Sequence, residues 1–156
     1  MDANCINPFI EAVDTVFTTM LHVQPKRNGV RVSQDDENTQ DRPGLTSIVG
    51  ISGQISGVVA LRFPPATALC VASRMLGSEI SHVNEEVVDA ISELVNMVAG
   101  SAKAKLACHP PLELGLPTVV EGTGYKLKYP SKSVWLEVGF TSDAGTFNME
   151  VTYNPN

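Results

Sequence analysis

Apolar residues recur along this chain at two different periods, and the switches between them outline the architecture. Phe9, Ile10, Val13, Val16, Phe17, Met20 and Leu21 fall at helical spacing, opposite Glu11, Asp14, Thr15 and Thr18. Asn7-Pro8 reads as the cap and first residue of that helix. Residues 24–43 are polar and turn-rich, with Val30-Arg31-Val32 as their candidate strand. A structureless loop of ~20 residues is uncommon in a compact domain, so a short edge strand is expected there. Leu45 to Ser52 and Ile55 to Phe63, dense in Val, Ile and Leu, flank Gly53-Gln54 and read as a β-hairpin. Pro64-Pro65 ends it and opens a helix from Ala66 to Leu76, closed by Gly77. Leu112 to Val120 reads as an extended segment interrupted by Gly115 and Pro117. Val134 to Thr141 and Thr146 to Tyr153 form a second hairpin around Ser142 to Gly145, with Trp135, Phe140, Phe147 and Tyr153 as core or cross-strand contacts. The order is helix and hairpin, short helix, then helix and hairpin, a weak internal duplication.

The helix of the second half, Val87 to Leu106, dominates. Asn84 caps it, and Glu85 and Glu86 lie in its first turn, where the helix dipole favours acids. After Cys108-His109-Pro110-Pro111 it cannot continue. Val87, Leu94, Val95, Val98 and Ala102 fall within about 60° of Ile91 at 100° per residue, an apolar stripe. The opposite face carries Asp89, Glu93, Asn96, Gly100 and Ala104, with Met97 and Lys103 on its flanks. Solvated helix faces are commonly filled with Lys, Arg, Glu and Gln. Gly100 costs about 1 kcal/mol relative to alanine in a helix interior, so something is expected to approach that backbone: a strand of the same chain, or another protein. Glu93 and Asn96 are neighbours on the face, about 60° apart around the axis. Glu11 and Asp14 repeat their i, i+3 spacing on the first helix, with an acid in place of the amide, and read as a solvated face.

Composition narrows the chemistry. A chain of 156 residues, 43% hydrophobic and 18% charged, suits one globular domain. A net charge of −6 argues against nucleic acid and against an anionic membrane surface as partners. No apolar run approaches the ~18 residues of a membrane span. The start, MDANCINPF, lacks the basic-then-apolar order of a signal peptide, so the expected location is the cytoplasm. Cys5, Cys70 and Cys108 are odd in number without paired spacing, and His22, His82 and His109 are scattered, so neither a disulfide framework nor a bound metal is expected. Neither a Gly-x-Ser-x-Gly elbow nor a Walker loop is present.

Residues 89 to 106, DAISELVNMVAGSAKAKL, resemble the signature helix of the CheX branch of the CheC/CheX/FliY chemotaxis phosphatases. Asn7 to Val13, Gly50 to Phe63 and Leu116-Pro117-Thr118-Val119-Val120 resemble the same family, in the same order. The resemblance implies an α+β fold, an α/β sandwich of two helix-plus-antiparallel-hairpin halves in pseudo-twofold relation, with the long helix packed on a β-sheet. It also implies a homodimer joined through edge strands. The implied activity is dephosphorylation of a CheY-type response regulator, with chemotaxis signal termination as the role. Asn96 would position the attacking water and Glu93 would pair with the regulator's lysine, while Mg²⁺ is expected in the regulator and no cofactor in this chain. Asp89, Met97, Gly100 and Ala104 would form the docking surface. Asp14 departs from the Glu-x-x-Asn pattern, so no second site is carried onto the first helix. The alternative is a binding module that docks a regulator or flagellar-switch component without turnover; an amide beside the glutamate favours the enzyme.

Overall fold

A computed structural model describes residues 3–33, 43–106, 110–125 and 134–155. Among these the chain is α+β, three helices packed on a seven-stranded antiparallel sheet. The helices are α1 (Ala3–Val16), α2 (Pro65–Leu76) and α3 (Glu85–Leu106). The strands are β1 (Lys26–Ser33), β2 (Gly44–Ser52), β3 (Ile55–Phe63), β4 (Glu113–Leu114), β5 (Thr118–Gly122), β6 (Trp135–Ser142) and β7 (Gly145–Pro155). They lie in the order β1-β6-β7-β3-β2, and the outer side of β2 takes two partners. β5 pairs with Gly44–Ile48, and β4 pairs with Ile51–Ser52.

Alternation along the strands sorts the sheet into two faces. Leu45, Val49, Val59, Leu61, Phe63, Val138, Phe140, Phe147, Met149 and Val151 share one face by register and are buried with the helices in a single core. Phe147 is its aromatic centre, stacked on Phe17 at 4.6 Å, Phe140 at 5.0 Å and Phe63 at 5.5 Å. The other face is polar yet buried at Thr46, Arg62, Glu150 and Thr152. There the Arg62 guanidinium lies over the Tyr125 ring at 5.8 Å, and the Tyr125 hydroxyl is hydrogen-bonded to Thr46.

Both predicted hairpins form at the expected places. In the first, Leu45 pairs with Phe63 and Ile51 with Gly57. The long helix begins where Asn84 predicts, its side-chain oxygen accepting the Val87 N–H at 3.1 Å. Gly77 ends α2 in the left-handed conformation, φ 69°. Three expectations need correction. The first helix starts at Ala3, so Pro8 lies inside it and Asn7-Pro8 is not its beginning. Its last turn, Phe17–Leu21, widens to a π-helix, and His22 (φ 53°) donates its N–H to the Phe17 carbonyl. Widening shifts the angular phase, which buries Leu21 and turns Met20 out to 44% exposure, although a regular helix would have put Met20 in the core. Finally, Val30–Val32 is only the middle of an eight-residue edge strand paired with β6. Residues 34–42, Cys108 and His109 lie outside the described residues.

The cap gives a direct test of how α3 is set. Asn84→Ala should lower stability by about 1 kcal/mol, read from denaturant midpoints, while Asn84→Asp should retain most of it. An unchanged midpoint in Asn84→Ala would show that packing alone fixes this end.

A candidate protein-docking face on the long helix

Side-chain packing decides which arc of α3 is free. Val87, Ile91, Leu94, Val95, Val98 and Ala102 are fully buried, and Ala90 and Ala99 extend the buried zone to either side. The helix rests on β2, β3 and β5 and is flanked by α1 and α2. What remains is an arc of Asp89, Glu93, Asn96 and Ala104, all exposed, and the half-exposed Gly100. The structure thus brings Glu93 and Asn96 onto one solvent-facing strip with three of the four predicted docking residues. Met97 differs: it is partly buried and packs against the core, at the margin of the strip.

Gly100 resolves an alternative left open by the sequence. A Cβ built there meets nothing within 4 Å. No strand of the described chain approaches this backbone, so the glycine is not needed for packing against the described residues. It leaves a gap in the side-chain cover of an exposed helix, one turn beyond Asn96.

The two sides of the strip are distinct. Val88 and Asp89 line an open groove of ≈ 460 Å³ with Val83, Asn84, Glu85 and Glu121. β5 therefore lies on the Asn96 side of the helix, because Val88, Ser92 and Asn96 lean the same way on a 100° wheel. α1 lies on the other side, where Lys105 makes a 3.2 Å ion pair with Glu11. Glu11 and Asp14 are both exposed, and with Arg27 and Lys105 they line a second groove of ≈ 430 Å³. The structure does not bring this pair together with Glu93 and Asn96. The Glu121 wall could not be read from the sequence, because β5 joins α3 through the sheet. Leu116, just before β5, is 91% exposed. Its signal in the sequence was the flanking Gly115 and Pro117.

Among the described residues, no group of three His, Cys, Asp or Glu side chains could hold a metal ion. None of the helices is long and apolar enough to cross a membrane.

A seven-stranded antiparallel sheet under three helices, with a polar strip on the longest, is an α+β fold shared with a CheC-like superfamily protein from Shewanella, TM-score 0.85 at 28% identity over 99% of each chain. The match to known proteins then identifies it: residues 45–141 fit the family described as chemotaxis phosphatase CheX, and the chain belongs to that family. It is 33% identical over 130 residues, 82% of each chain, to the CheY-P phosphatase CheX of Thermotoga maritima. The crystal structure of the chemotaxis protein CheX from Vibrio vulnificus superposes with a TM-score of 0.84 at 28% identity, covering 97% of this chain and 100% of that one. The fold also matches a chain from the CheX-CheY-BeF3-Mg²⁺ complex of Borrelia burgdorferi, with a TM-score of 0.68 at 24% identity, covering 96% and 97%.

Because nothing among the described residues packs on Gly100, Gly100→Ala should stabilise the free protein by about 0.5–1 kcal/mol through helix propensity alone. Chemical denaturation checks this. A loss of stability would place an unrecognised contact at that backbone.

Proposed function

We propose that this protein hydrolyses the aspartyl phosphate of a CheY-type response regulator and so ends a chemotaxis signal. The observation that carries the reading is the pairing of Glu93 with Asn96 on the free arc of a helix whose other side is wholly buried. Family membership and the activity in the Thermotoga relative's name support it. The Borrelia complex, which joins CheX to CheY with BeF3 and Mg²⁺, supports a CheY-type partner and a reaction in the presence of that metal.

The chemistry asks little of this chain. An acyl phosphate and water become a carboxylate and inorganic phosphate, and such transfers depend chiefly on positioning and charge stabilisation. The regulator brings the phosphoryl group, the Mg²⁺ and a lysine. The Asn96 amide, both donor and acceptor, holds a water in line with the scissile bond. Glu93 pairs with the regulator's lysine and sets the docking register. A helix presents both with a fixed separation, which precise positioning needs. Asp89, Gly100 and Ala104 form the surface around them, and Met97 borders it as an adaptable contact. With a net charge of −6, long-range attraction to an acidic phosphorylation pocket is weak, so the encounter depends on short-range pairing and is transient. Such a reaction belongs in the cytoplasm.

The finer architecture follows the same reading. The sheet order β1-β6-β7-β3-β2-β5 maps onto itself when β1, β2 and β3 exchange with β5, β6 and β7. This supports two related halves, with α1 and α3 as counterparts. Only the second half keeps the amide. We also infer a homodimer through β1, a long edge with Val30 46% and Val32 58% exposed. Light scattering should give twice the monomer mass for the parent and the monomer mass for Val32→Lys. A monomeric parent would contradict the dimer.

Turnover separates the roles on α3. Asn96→Ala should leave affinity for the regulator nearly unchanged but cut dephosphorylation at least a hundredfold, about 2.7 kcal/mol of transition-state stabilisation. Glu93→Ala should weaken both. The double change Glu11→Ala/Asp14→Ala should stay within a few-fold of the parent. Because all four side chains are exposed, melting temperatures should barely move. Parent-like turnover in Asn96→Ala would end the water-positioning role and favour a binding module.

A further inference from the structure

We propose that Leu116 is the apolar anchor of the docking face, a binding residue that meets the response regulator beside its phosphorylation site. This rests on the phosphatase reading and adds to it a contact outside the helix. Single exposed apolar side chains are ordinary on protein surfaces, so exposure alone would mean little. Two further observations single this one out.

The first is how it is held. Leu116 sits on the bend between β4 and β5, with Gly115 before it and Pro117 after it. The Gly115 N–H donates to the Gly50 carbonyl at 2.9 Å, tying the bend to β2. A Cβ at Gly115 would lie 3.7 Å from that same oxygen, so the backbones are in close approach. Pro117 limits the backbone freedom of the residue before it, Leu116. A leucine held at 91% exposure by a tethered backbone loses little conformational freedom on binding, as a preorganised contact requires.

The second is where it stands. Glu121 pairs with Leu45 and lines the groove with Val88 and Asp89, which aligns the start of α3 with that end of β2. Gly50, which anchors the bend, is five residues further along β2, or ~17 Å at strand rise. The same advance along α3 is about 11 residues and reaches roughly Gly100, one turn past Asn96. α3 still packs against β4 at this end of the sheet. Leu116 therefore flanks the Asn96 side of the strip, level with the uncovered backbone of Gly100. A partner close enough to place its phosphoryl group at Asn96 meets this side chain. Its contact is also independent of charge, which suits a protein and a partner pocket that are both acidic.

The test is titration of a CheY-type regulator from the same cell, loaded with beryllofluoride and Mg²⁺, against the parent and three variants. Leu116→Ala should bind about tenfold more weakly, the scale of a small hot spot. It should raise KM for the phosphorylated regulator to match and leave kcat unchanged, with an unaltered melting temperature. Leu116→Met should stay within twofold of the parent. Val134→Ala removes a comparably apolar exposed residue four strands away and should have no effect. Parent-like affinity in Leu116→Ala, or an equal loss in Val134→Ala, would overturn the anchor while leaving the phosphatase reading standing. A parent that binds no loaded regulator would remove both.

Discussion

Complete burial of one side of α3 is the constraint from which the rest of this protein follows. Six apolar side chains, from Val87 to Ala102, are withdrawn from water against β2, β3 and the neighbouring helices. Fully burying a Val, Leu or Ile side chain is worth about 1.5–3 kcal/mol. Rotating the helix would expose several of them at once, so its azimuth is fixed. The arc holding Glu93 and Asn96 is free because the other arc is committed. Their separation is then set by the helix itself, and neither needs a supporting hydrogen bond within the chain.

The same division separates stability from function. Changes on the buried arc should act through cavities, and changes on the free arc through a partner. Gly100 is the instructive exception. It weakens the helix in isolation while packing against none of the described residues, which makes sense if the uncovered backbone serves a surface that approaches from outside. α1 carries a different pair. Glu11 and Asp14 repeat the i, i+3 spacing of Glu93 and Asn96, but Asp14 stands in place of the amide, and Glu11 is engaged with Lys105 at 3.2 Å.

Much of this was legible in the sequence where local and tertiary preferences agree. The hairpin of Leu45 to Phe63 is a dense β-branched run broken by Gly53-Gln54, and α3 combines a cap with a clean stripe. The misreadings fall where tertiary contacts override local pattern. Met20 lies in phase with the α1 core, but Phe17 stacks on Phe147 and the helix widens beyond it. β1, KRNGVRVS, is mostly polar because it is an edge, and pairing with β6 defines it rather than hydrophobicity. The central pairing of β3 with β7 joins residues roughly ninety apart, which no periodicity can reveal. At the site, spacing placed the face, and the family resemblance supplied the proposed roles. Leu116 needed the sheet register to be placed beside α3.

The activity proposed for this face is faster hydrolysis of an aspartyl phosphate, not mere retention of a regulator. The most direct measurement phosphorylates each response regulator of the same cell and follows phosphate release over time, with and without the parent protein in catalytic amounts. At least one regulator should lose its phosphate many times faster, with multiple turnovers, in the presence of Mg²⁺. Unchanged lifetimes for every regulator, including any that forms a complex with the protein, would contradict it.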